Sequence, residues 1–188
     1  MKTRLFAGMV VVFIAMAIAT SAIAYQWFSY GGHQYALTED FGTWEQSEAE
    51  AVAAGGHLAN INNEGENGWL AELIKDNGWT RNGLHNIAWI GLYYIGGTRT
   101  SASSWRWVCG DPVTLWKPYP PGLFPEGEHM YLLGNRPGSQ APGTWDCNPL
   151  HENNYDQQPL GIIEVIPEPS ILLLLSCGVL ALLRKRRG

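Results

Sequence analysis

The sequence predicts a single domain that combines helices with strands, and three observations support this prediction. The chain has 188 residues, and apolar segments typical of export occupy both ends, which leaves a middle of 142 residues, 25–166, large enough for one hydrophobic core. Before residue 110 the chain shows helix and strand periodicities and contains no proline. All 11 prolines lie after that point, nine of them in a long region with little periodicity.

The first 24 residues have the pattern of a secretory signal peptide. Lys2 and Arg4 precede an apolar run over residues 5–19, and Ala22-Ile23-Ala24 provides small residues for cleavage. We therefore expect residues 1–24 to be removed on export and residues 25–166 to form the mature domain.

The charge of the mature domain excludes one class of partner. The two ends hold six of the 12 basic residues but only one of the 17 acidic residues, so residues 25–166 carry a net charge of −10. A nucleic-acid-binding protein concentrates Lys and Arg on one face, which six scattered basic residues cannot do. Cations, neutral ligands or basic partners suit this composition better.

The first half of the domain predicts a short strand and two helices. Residues 34–37 form the strand candidate, and Thr43-Trp44-Glu45-Gln46 fits a capping box that begins an Ala-rich helix. Gly55-Gly56 ends this helix. A second helix is predicted from Asn63 to Asn77, with a buried stripe formed by Trp69, Leu70, Leu73 and Ile74.

Four later segments predict strands, and the region between them predicts a long loop. The segment from Ile87 to Tyr94 is apolar throughout, as expected of a central buried strand. Shorter strands are predicted at residues 105–108, 143–145 and 161–165. Residues 109–160 contain nine prolines and six glycines, and a loop of this length in a small domain is usually functional.

The order of these elements resembles that of the C-type lectin domain. The resemblance covers about residues 33–165 and implies an α+β fold with two helices, two small antiparallel sheets and a long irregular loop, in which the first and last strands pair. The fragments that carry it are Thr43-Trp44-Glu45, Gly55-Gly56-His57-Leu58-Ala59-Asn60-Ile61, Trp89-Ile90-Gly91-Leu92, Trp105-Arg106-Trp107, Gly143-Thr144-Trp145 and Ile162-Ile163-Glu164-Val165.

The C-terminal 22 residues, 167–188, resemble the PEP-CTERM sorting signal of Gram-negative bacteria. Pro167-Glu168-Pro169 precedes an apolar run over residues 171–183 and a basic cluster, Arg184-Lys185-Arg186-Arg187. The resemblance implies transient anchoring in the inner membrane, processing by an exosortase-type enzyme, and delivery to the cell surface or to an extracellular polysaccharide matrix. The alternative is a permanent single-span anchor, although the apolar run is short for a span.

The resemblance also implies a calcium site, because sugar-binding members share one Ca²⁺ between the long loop and two sugar hydroxyls. A hard cation needs about six to eight oxygen ligands. This role maps onto Glu126, Glu128, Asp146 and Asn148. Phe124 replaces one expected ligand, and Phe124-Pro125-Glu126 matches neither the mannose-type nor the galactose-type tripeptide. The alternative is a set of solvated carboxylates with a turn Asn before Pro149.

Two cysteines remain in the mature domain, because Cys177 lies in the tail. Cys109 and Cys147 each follow a predicted strand, and those strands are neighbours in the fold that the chain resembles. An exported protein meets oxidising conditions, so we expect a Cys109–Cys147 disulfide that contributes about 2–4 kcal/mol. The family's usual disulfide positions are not occupied.

Aromatic residues divide between the predicted strands and the loop. We expect the strand tryptophans to be buried: Trp89, Trp105, Trp107 and Trp145. In the loop, Trp116 and Tyr119 are candidates for stacking on sugar C–H faces, together with Phe124 and Tyr131. The alternative for these residues is a small hydrophobic core beneath the loop.

The residues support two functional hypotheses, and neither is enzymatic. No set of acid, base and nucleophile is recognisable, and Cys147 with His151 makes no catalytic pair if the cysteine is oxidised. The first hypothesis is an exported carbohydrate-binding module, with or without Ca²⁺. The second is a structural or protein-binding matrix component that uses the same fold with a degenerate metal site.

Overall fold

The computed structural model describes residues 24–77, 86–119, 127–134, 142–148 and 152–166. Three predicted features lie outside these residues. They are the signal peptide apart from its last residue, the candidate ligand Glu126, and the tail with Pro167, Glu168 and Pro169. Within the described ranges, no helix is both long enough and apolar enough to span a bilayer.

Two α-helices and eight strands make up the described structure. The helices are α1, Trp44–Ala53, and α2, whose described residues are Glu64–Asn77. The strands are β1 (Phe28–Tyr30), β2 (His33–Leu37), β3 (His57–Leu58), β4 (Ile87–Tyr94), β5 (Trp105–Trp107), β6 (His129–Leu133), β7 (Trp145–Asp146) and β8 (Leu160–Val165).

The strands form two antiparallel groups that one parallel pair joins. In the first group β2 pairs with β1 and β8, with Ala36 opposite Ile163. In the second group β4 pairs with β5 and β6, and β6 pairs with β7. The parallel pairing of Ala88 with Leu160 joins β4 to β8, so the whole is one mixed sheet. The predicted α+β class and the pairing of the first predicted strand with the last are confirmed.

Helix α1 begins and ends where its sequence predicts. The Thr43 side chain accepts a hydrogen bond from the Gln46 N–H, and the Gln46 side chain accepts one from the Thr43 N–H, which completes the capping box. Gly55 follows the helix with φ of +90°, a conformation that favours glycine. The chain then turns so closely onto β8 that a Cβ at Gly56 would lie 2.0 Å from the Glu164 carbonyl oxygen.

The core lies between the sheet and the helices and is rich in tryptophan, as predicted. Trp89, Trp107 and Trp145 are fully buried, and Trp105 nearly so. Tyr131, predicted to lie in the loop, belongs instead to β6 and is 3% exposed, which agrees with the alternative of a small hydrophobic core and not with a sugar-stacking role. Its neighbours Met130 and Leu132 are also buried, so β6 is a short interior strand within the region predicted as loop.

The predicted disulfide is wrong, because Cys109 and Cys147 are not joined. Strand β5 borders one side of β4, whereas β7 lies beyond β6 on the other side. Since neighbouring strands are about 4.8 Å apart, β5 and β7 are separated by roughly 14 Å across the sheet, and a disulfide needs Cα atoms within about 7 Å. Cys109 Sγ instead accepts a hydrogen bond from Asn60 Nδ2 at 3.0 Å.

Candidate functional site

Three of the four predicted metal ligands lie at one end of the sheet, where β6 begins and β7 ends. Glu128 immediately precedes β6, and Asp146 is the last residue of β7, with Asn148 two residues further along the chain. The two segments touch, because a Cβ at Gly127 would lie 2.8 Å from the Cys147 carbonyl carbon and 3.0 Å from the Asn148 nitrogen. The fold therefore brings these three residues into one region.

The Asp146 carboxylate is held by the protein. Its Oδ2 accepts a hydrogen bond from the Tyr131 O–H at 2.9 Å, and its Oδ1 accepts one from the Cys147 N–H at 2.8 Å. Burial, followed by the charge of Asp146, raises the pKa of Tyr131, which keeps the hydroxyl protonated as a donor. Both carboxylate oxygens are thus engaged, and Asp146 is oriented by β6.

The backbone of Glu128 is held by a second carboxylate, that of Glu152. Glu152 Oε1 accepts hydrogen bonds from the N–H groups of Glu128 at 2.6 Å and His129 at 2.8 Å. Burial alone would raise the pKa of Glu152, but the hydrogen bonds from His129 and from the two amides outweigh it and lower the pKa. The His129 ring stacks on Trp44 of α1 with 4.4 Å between the centroids. The stacking of His129 on Trp44 therefore fixes the start of β6 to α1. The Glu128 side chain itself is exposed.

Two aromatic residues that were candidates for stacking on a sugar, Trp116 and Tyr119, lie in different surroundings. Trp116 is half-buried and packs against Trp105 and Trp145, with centroids 6.2 and 6.4 Å apart, so it belongs to the core beneath the loop. Tyr119 lies beside β7, because its N–H donates to the Trp145 carbonyl oxygen at 2.7 Å. Tyr119 is half-buried, and its backbone lies next to Trp145, the residue that precedes Asp146. We call Tyr119, Glu128, Asp146 and Asn148 the loop-end group.

The loop-end group does not form a calcium shell from its described residues. Both oxygens of Asp146 already accept protein hydrogen bonds, and Glu126 lies outside the described residues. Since Ca²⁺ takes about six to eight oxygens, Glu128, Asp146 and Asn148 would not complete its shell without further ligands. What the group offers is the exposed Glu128 carboxylate and the Asn148 amide, with Tyr119 on the backbone segment beside β7.

A different group of side chains, of the types that bind metal ions, lies beside strand β2. Within the part of the chain that the structure describes, His33, Glu66 and Glu164 form one group whose ligand atoms all lie within 4.8 Å of one another. They come from β2, α2 and β8, three elements far apart in sequence. Glu66 and Glu164 are buried, and His33 is partly exposed.

Protein hydrogen bonds already connect the members of this group. His33 Nδ1 lies 2.5 Å from Glu164 Oε1, and the Tyr35 O–H donates to Glu66 Oε1 at 2.6 Å. The second oxygen of Glu164 accepts from the Asn60 N–H at 2.8 Å. Burial, the largest effect, raises the pKa of Glu164. An imidazole and two carboxylates are ligands that Zn²⁺ accepts, but a cation here would have to replace the His33–Glu164 contact.

One feature of the sequence points to this group, although local patterns do not predict its members. Glu164 is a charged residue on an otherwise apolar strand, and β8 pairs with β2, β3 and β4. A charge in such a position must find partners, because an unpaired buried carboxylate is costly. That those partners are the Asn60 N–H and His33, which lies 131 residues away, follows only from the fold.

Comparison with known proteins identifies relatives among lectins and lectin-like proteins. No protein-family model matches the chain. The chain is similar to the C-type lectin lectoxin-Phi1 of Philodryas olfersii, with 30% identity over 129 residues, 66% of this chain and 77% of that protein. It is also similar to one chain of the snaclec coagulation factor IX/factor X-binding protein of Trimeresurus stejnegeri, with 37% identity over 81 residues, 42% of this chain and 51% of that protein. The chain spans about half the length of the first curated relatives that it matches.

Solved structures show the same arrangement of elements. The Ca²⁺-independent C-type lectin SPL-2 from Saxidomus purpuratus has a TM-score of 0.57 and 19% identity, over 76% of this chain and 93% of that one. The complex of SPL-1 with GlcNAc has a TM-score of 0.55 and 21% identity, again over 76% and 93%. At these identities the likeness shows the fold alone.

Proposed function

The chain belongs to the C-type lectin-like family and has its fold, and from this premise we propose that it is a non-enzymatic carbohydrate-binding module whose loop-end group contacts the sugar. One observation supports this proposal: the backbone segments that carry Tyr119, Glu128 and Asn148 lie side by side at the end of the sheet where the long loop joins. Sugars need a combination of aromatic and hydrogen-bonding side chains, because they present hydroxyl groups at their edges and C–H groups on their faces.

Calcium-free binding is part of the proposal. The Asp146 carboxylate is already satisfied by Tyr131 and Cys147, and Phe124 replaces an expected oxygen ligand. The fold neighbour SPL-2 is named as a Ca²⁺-independent lectin, and SPL-1 forms a complex with GlcNAc, which gives precedent for sugar binding on this fold. Sugar hydroxyls would then bind to protein groups directly.

A glycan array with the purified exported protein tests the proposal. We expect binding to a restricted set of saccharides, and we expect Tyr119→Ala to lower the signal about tenfold, since the ring supplies the apolar contact. Trp27→Ala is the matched control, because Trp27 is an exposed aromatic residue, 39% accessible, remote in sequence from the loop-end group. An array on which no glycan binds the wild-type protein would contradict the proposal.

The alternative is a structural or protein-binding component of an extracellular matrix. The snaclec relatives are named as binding proteins for coagulation factors, so proteins similar to this chain recognise other proteins. The Asp146 carboxylate accepts a hydrogen bond from Tyr131, and such an arrangement is also expected of a site that no longer binds a metal. A silent glycan array together with specific capture of a matrix protein would favour this alternative.

We propose that the protein acts at the surface of a Gram-negative bacterium or in its extracellular polysaccharide. Support comes from the sequence: the signal pattern over residues 1–24, and a tail in which Pro167-Glu168-Pro169 precedes an apolar run and a basic cluster. An exosortase-type enzyme would remove that tail. Mass spectrometry of the exported protein should find a C-terminus near residue 167, and an intact Gly188 would contradict processing.

A further inference from the structure

A cleft of about 540 Å³ opens between the first turns of α1 and the segment that leads into β8. It shares no residue with the loop-end group or with the His33–Glu66–Glu164 group. Its volume lies in the range of small-ligand sites, about 300–1,000 Å³. The cleft therefore has the size of a binding site, and its lining decides what it would hold.

Two buried polar side chains line the cleft, and one of them lacks a hydrogen-bond partner within the described part of the chain. Ser47 is 2% exposed, and its Oγ lacks a hydrogen-bond partner among the described residues. Gln158 is 7% exposed and also lines the cleft. Buried polar groups are nearly always paired, so the unpaired Ser47 hydroxyl on this cleft points to a ligand that supplies the missing bond.

The walls of the cleft add hydrogen-bond acceptors and no cation. Asp40 and Glu50 line it, and Glu50 Oε1 already accepts from the Glu39 N–H at 2.7 Å and the Tyr25 O–H at 3.2 Å. No Lys, Arg or His is among the lining residues that the structure describes, which excludes phosphate and other anions as favoured ligands. The two carboxylates do not form a converging metal group within the described residues.

An aromatic ring borders the opening. Tyr155 lies in a short turn of residues 155–157 and is 64% exposed, although large aromatic side chains are generally at least partly buried. The half-buried Phe41 also lines the cleft. Together these rings offer an apolar surface next to the polar base.

The cleft is preformed by contacts of its backbone. The Gly42 N–H donates to the Pro159 carbonyl oxygen at 3.3 Å, which joins the two sides. The Gly42 carbonyl oxygen accepts from Trp89 Nε1 at 2.9 Å, which fixes this segment to the buried strand β4. Binding would then cost little ordering of the chain.

We infer that this cleft is a second, calcium-independent subsite for a neutral saccharide, in addition to the loop-end group. Sugar hydroxyls would donate to Asp40 and Glu50, and they would exchange hydrogen bonds with the Gln158 amide and Ser47 Oγ. The Tyr155 ring would cover a C–H face of the sugar. The inference rests on the proposed function only in its ligand class, since the residues involved are different.

NMR titration of the isotope-labelled exported protein in EDTA tests this inference. The probes are the methyl glycosides of glucose, galactose, mannose and N-acetylglucosamine at millimolar concentration. At least one should shift the Gln158 side-chain amide signals saturably. Tyr155→Ala and Gln158→Leu should each weaken that binding about tenfold, followed at the Gly42 and Asp156 amides, whereas the control Trp27→Ala should not.

The outcomes separate this inference from the proposed function. Shifts confined to Glu128 and Asn148 would overturn the cleft site and leave the loop-end site standing. Shifts confined to the cleft would support the inference and overturn the loop-end assignment. Absence of saturable shifts at Gln158 with all four glycosides, or binding that both variants retain unchanged, would overturn the inference.

Discussion

At the scale of single residues, Asp146 decides how the loop-end group works. In a calcium-binding arrangement its carboxylate would face a cation, but here both oxygens accept hydrogen bonds from Tyr131 and Cys147. Tyr131 is 3% exposed, and burial raises the pKa of its hydroxyl, so the hydroxyl stays protonated and able to donate at neutral pH. One buried tyrosine therefore fixes the orientation of the Asp146 carboxylate in the loop-end group.

Removing the Tyr131 hydroxyl should be costly. Tyr131→Phe removes the donor to Oδ2 of the half-buried Asp146 carboxylate, and we expect the free energy of unfolding to fall by about 1–3 kcal/mol in urea titrations. Tyr94→Phe is the control, because the Tyr94 hydroxyl donates to the Gly97 carbonyl oxygen at an exposed position. Equal stability losses in the two variants would show that the Tyr131–Asp146 bond has no special role.

The two cysteines should differ in reactivity. Cys109 is exposed, whereas Cys147 is buried, and burial followed by the charge of Asp146 raises the pKa of Cys147 to about 12. Under non-reducing conditions we expect iodoacetamide to modify Cys109 in the folded protein, and Cys147 only after denaturation, as mapped by peptide mass spectrometry. Resistance of both residues to alkylation until a reductant is added would reinstate the disulfide.

At the scale of elements, local sequence signals succeeded where each element is determined by its own residues. The capping box at Thr43 and the glycine at residue 55 involve partners within a few positions, so the limits of α1 were predictable. Strand β6 was missed because its five residues follow a proline-rich segment and gain their burial from β4 and β7. The His33–Glu66–Glu164 group was missed because topology alone brings its members together.

Two glycine-to-alanine substitutions test the backbone at the turn that follows α1 and at an open position within α2. A Cβ at Gly56 would meet the Glu164 carbonyl oxygen at 2.0 Å, so Gly56→Ala should destabilise the fold by about 3 kcal/mol or more, or prevent folding. Gly68 lies within α2 with open space around its Cβ position, so Gly68→Ala should stabilise it by about 0.5–1 kcal/mol. Thermal unfolding of both variants checks this, and a Gly56→Ala protein as stable as wild type would contradict the described turn.

At the scale of the whole molecule, the fold and its family were predictable from the sequence, but the state of the candidate site was not. The order of fragments from Thr43 to Val165 identifies the fold because each fragment serves a fixed structural position. Whether Asp146 faces a cation or a tyrosine depends on side-chain packing between β6 and β7, which sequence order does not encode. The charge of −10 in residues 25–166 is compatible with either state.

Calcium should therefore leave the stability of the molecule unchanged. A ligand that binds only the folded state stabilises it by about 2.7 kcal/mol at a hundredfold excess over Kd, which corresponds to roughly 5–10 °C in Tm for a domain of this size. We expect the Tm in millimolar Ca²⁺ and in EDTA to coincide. A clear rise with Ca²⁺ would show that the loop-end group, or the His33–Glu66–Glu164 group, binds the ion.

Calcium-free sugar binding is tested most directly by the affinity for the strongest array ligand, measured by calorimetric titration once in Ca²⁺ and once in EDTA. We expect the same Kd in both buffers, within about twofold, because the hydrogen bonds of the loop-end group and of the cleft require no metal. Loss of binding in EDTA, with recovery on adding Ca²⁺, would contradict this expectation and would require the Asp146 carboxylate to exchange Tyr131 for a cation.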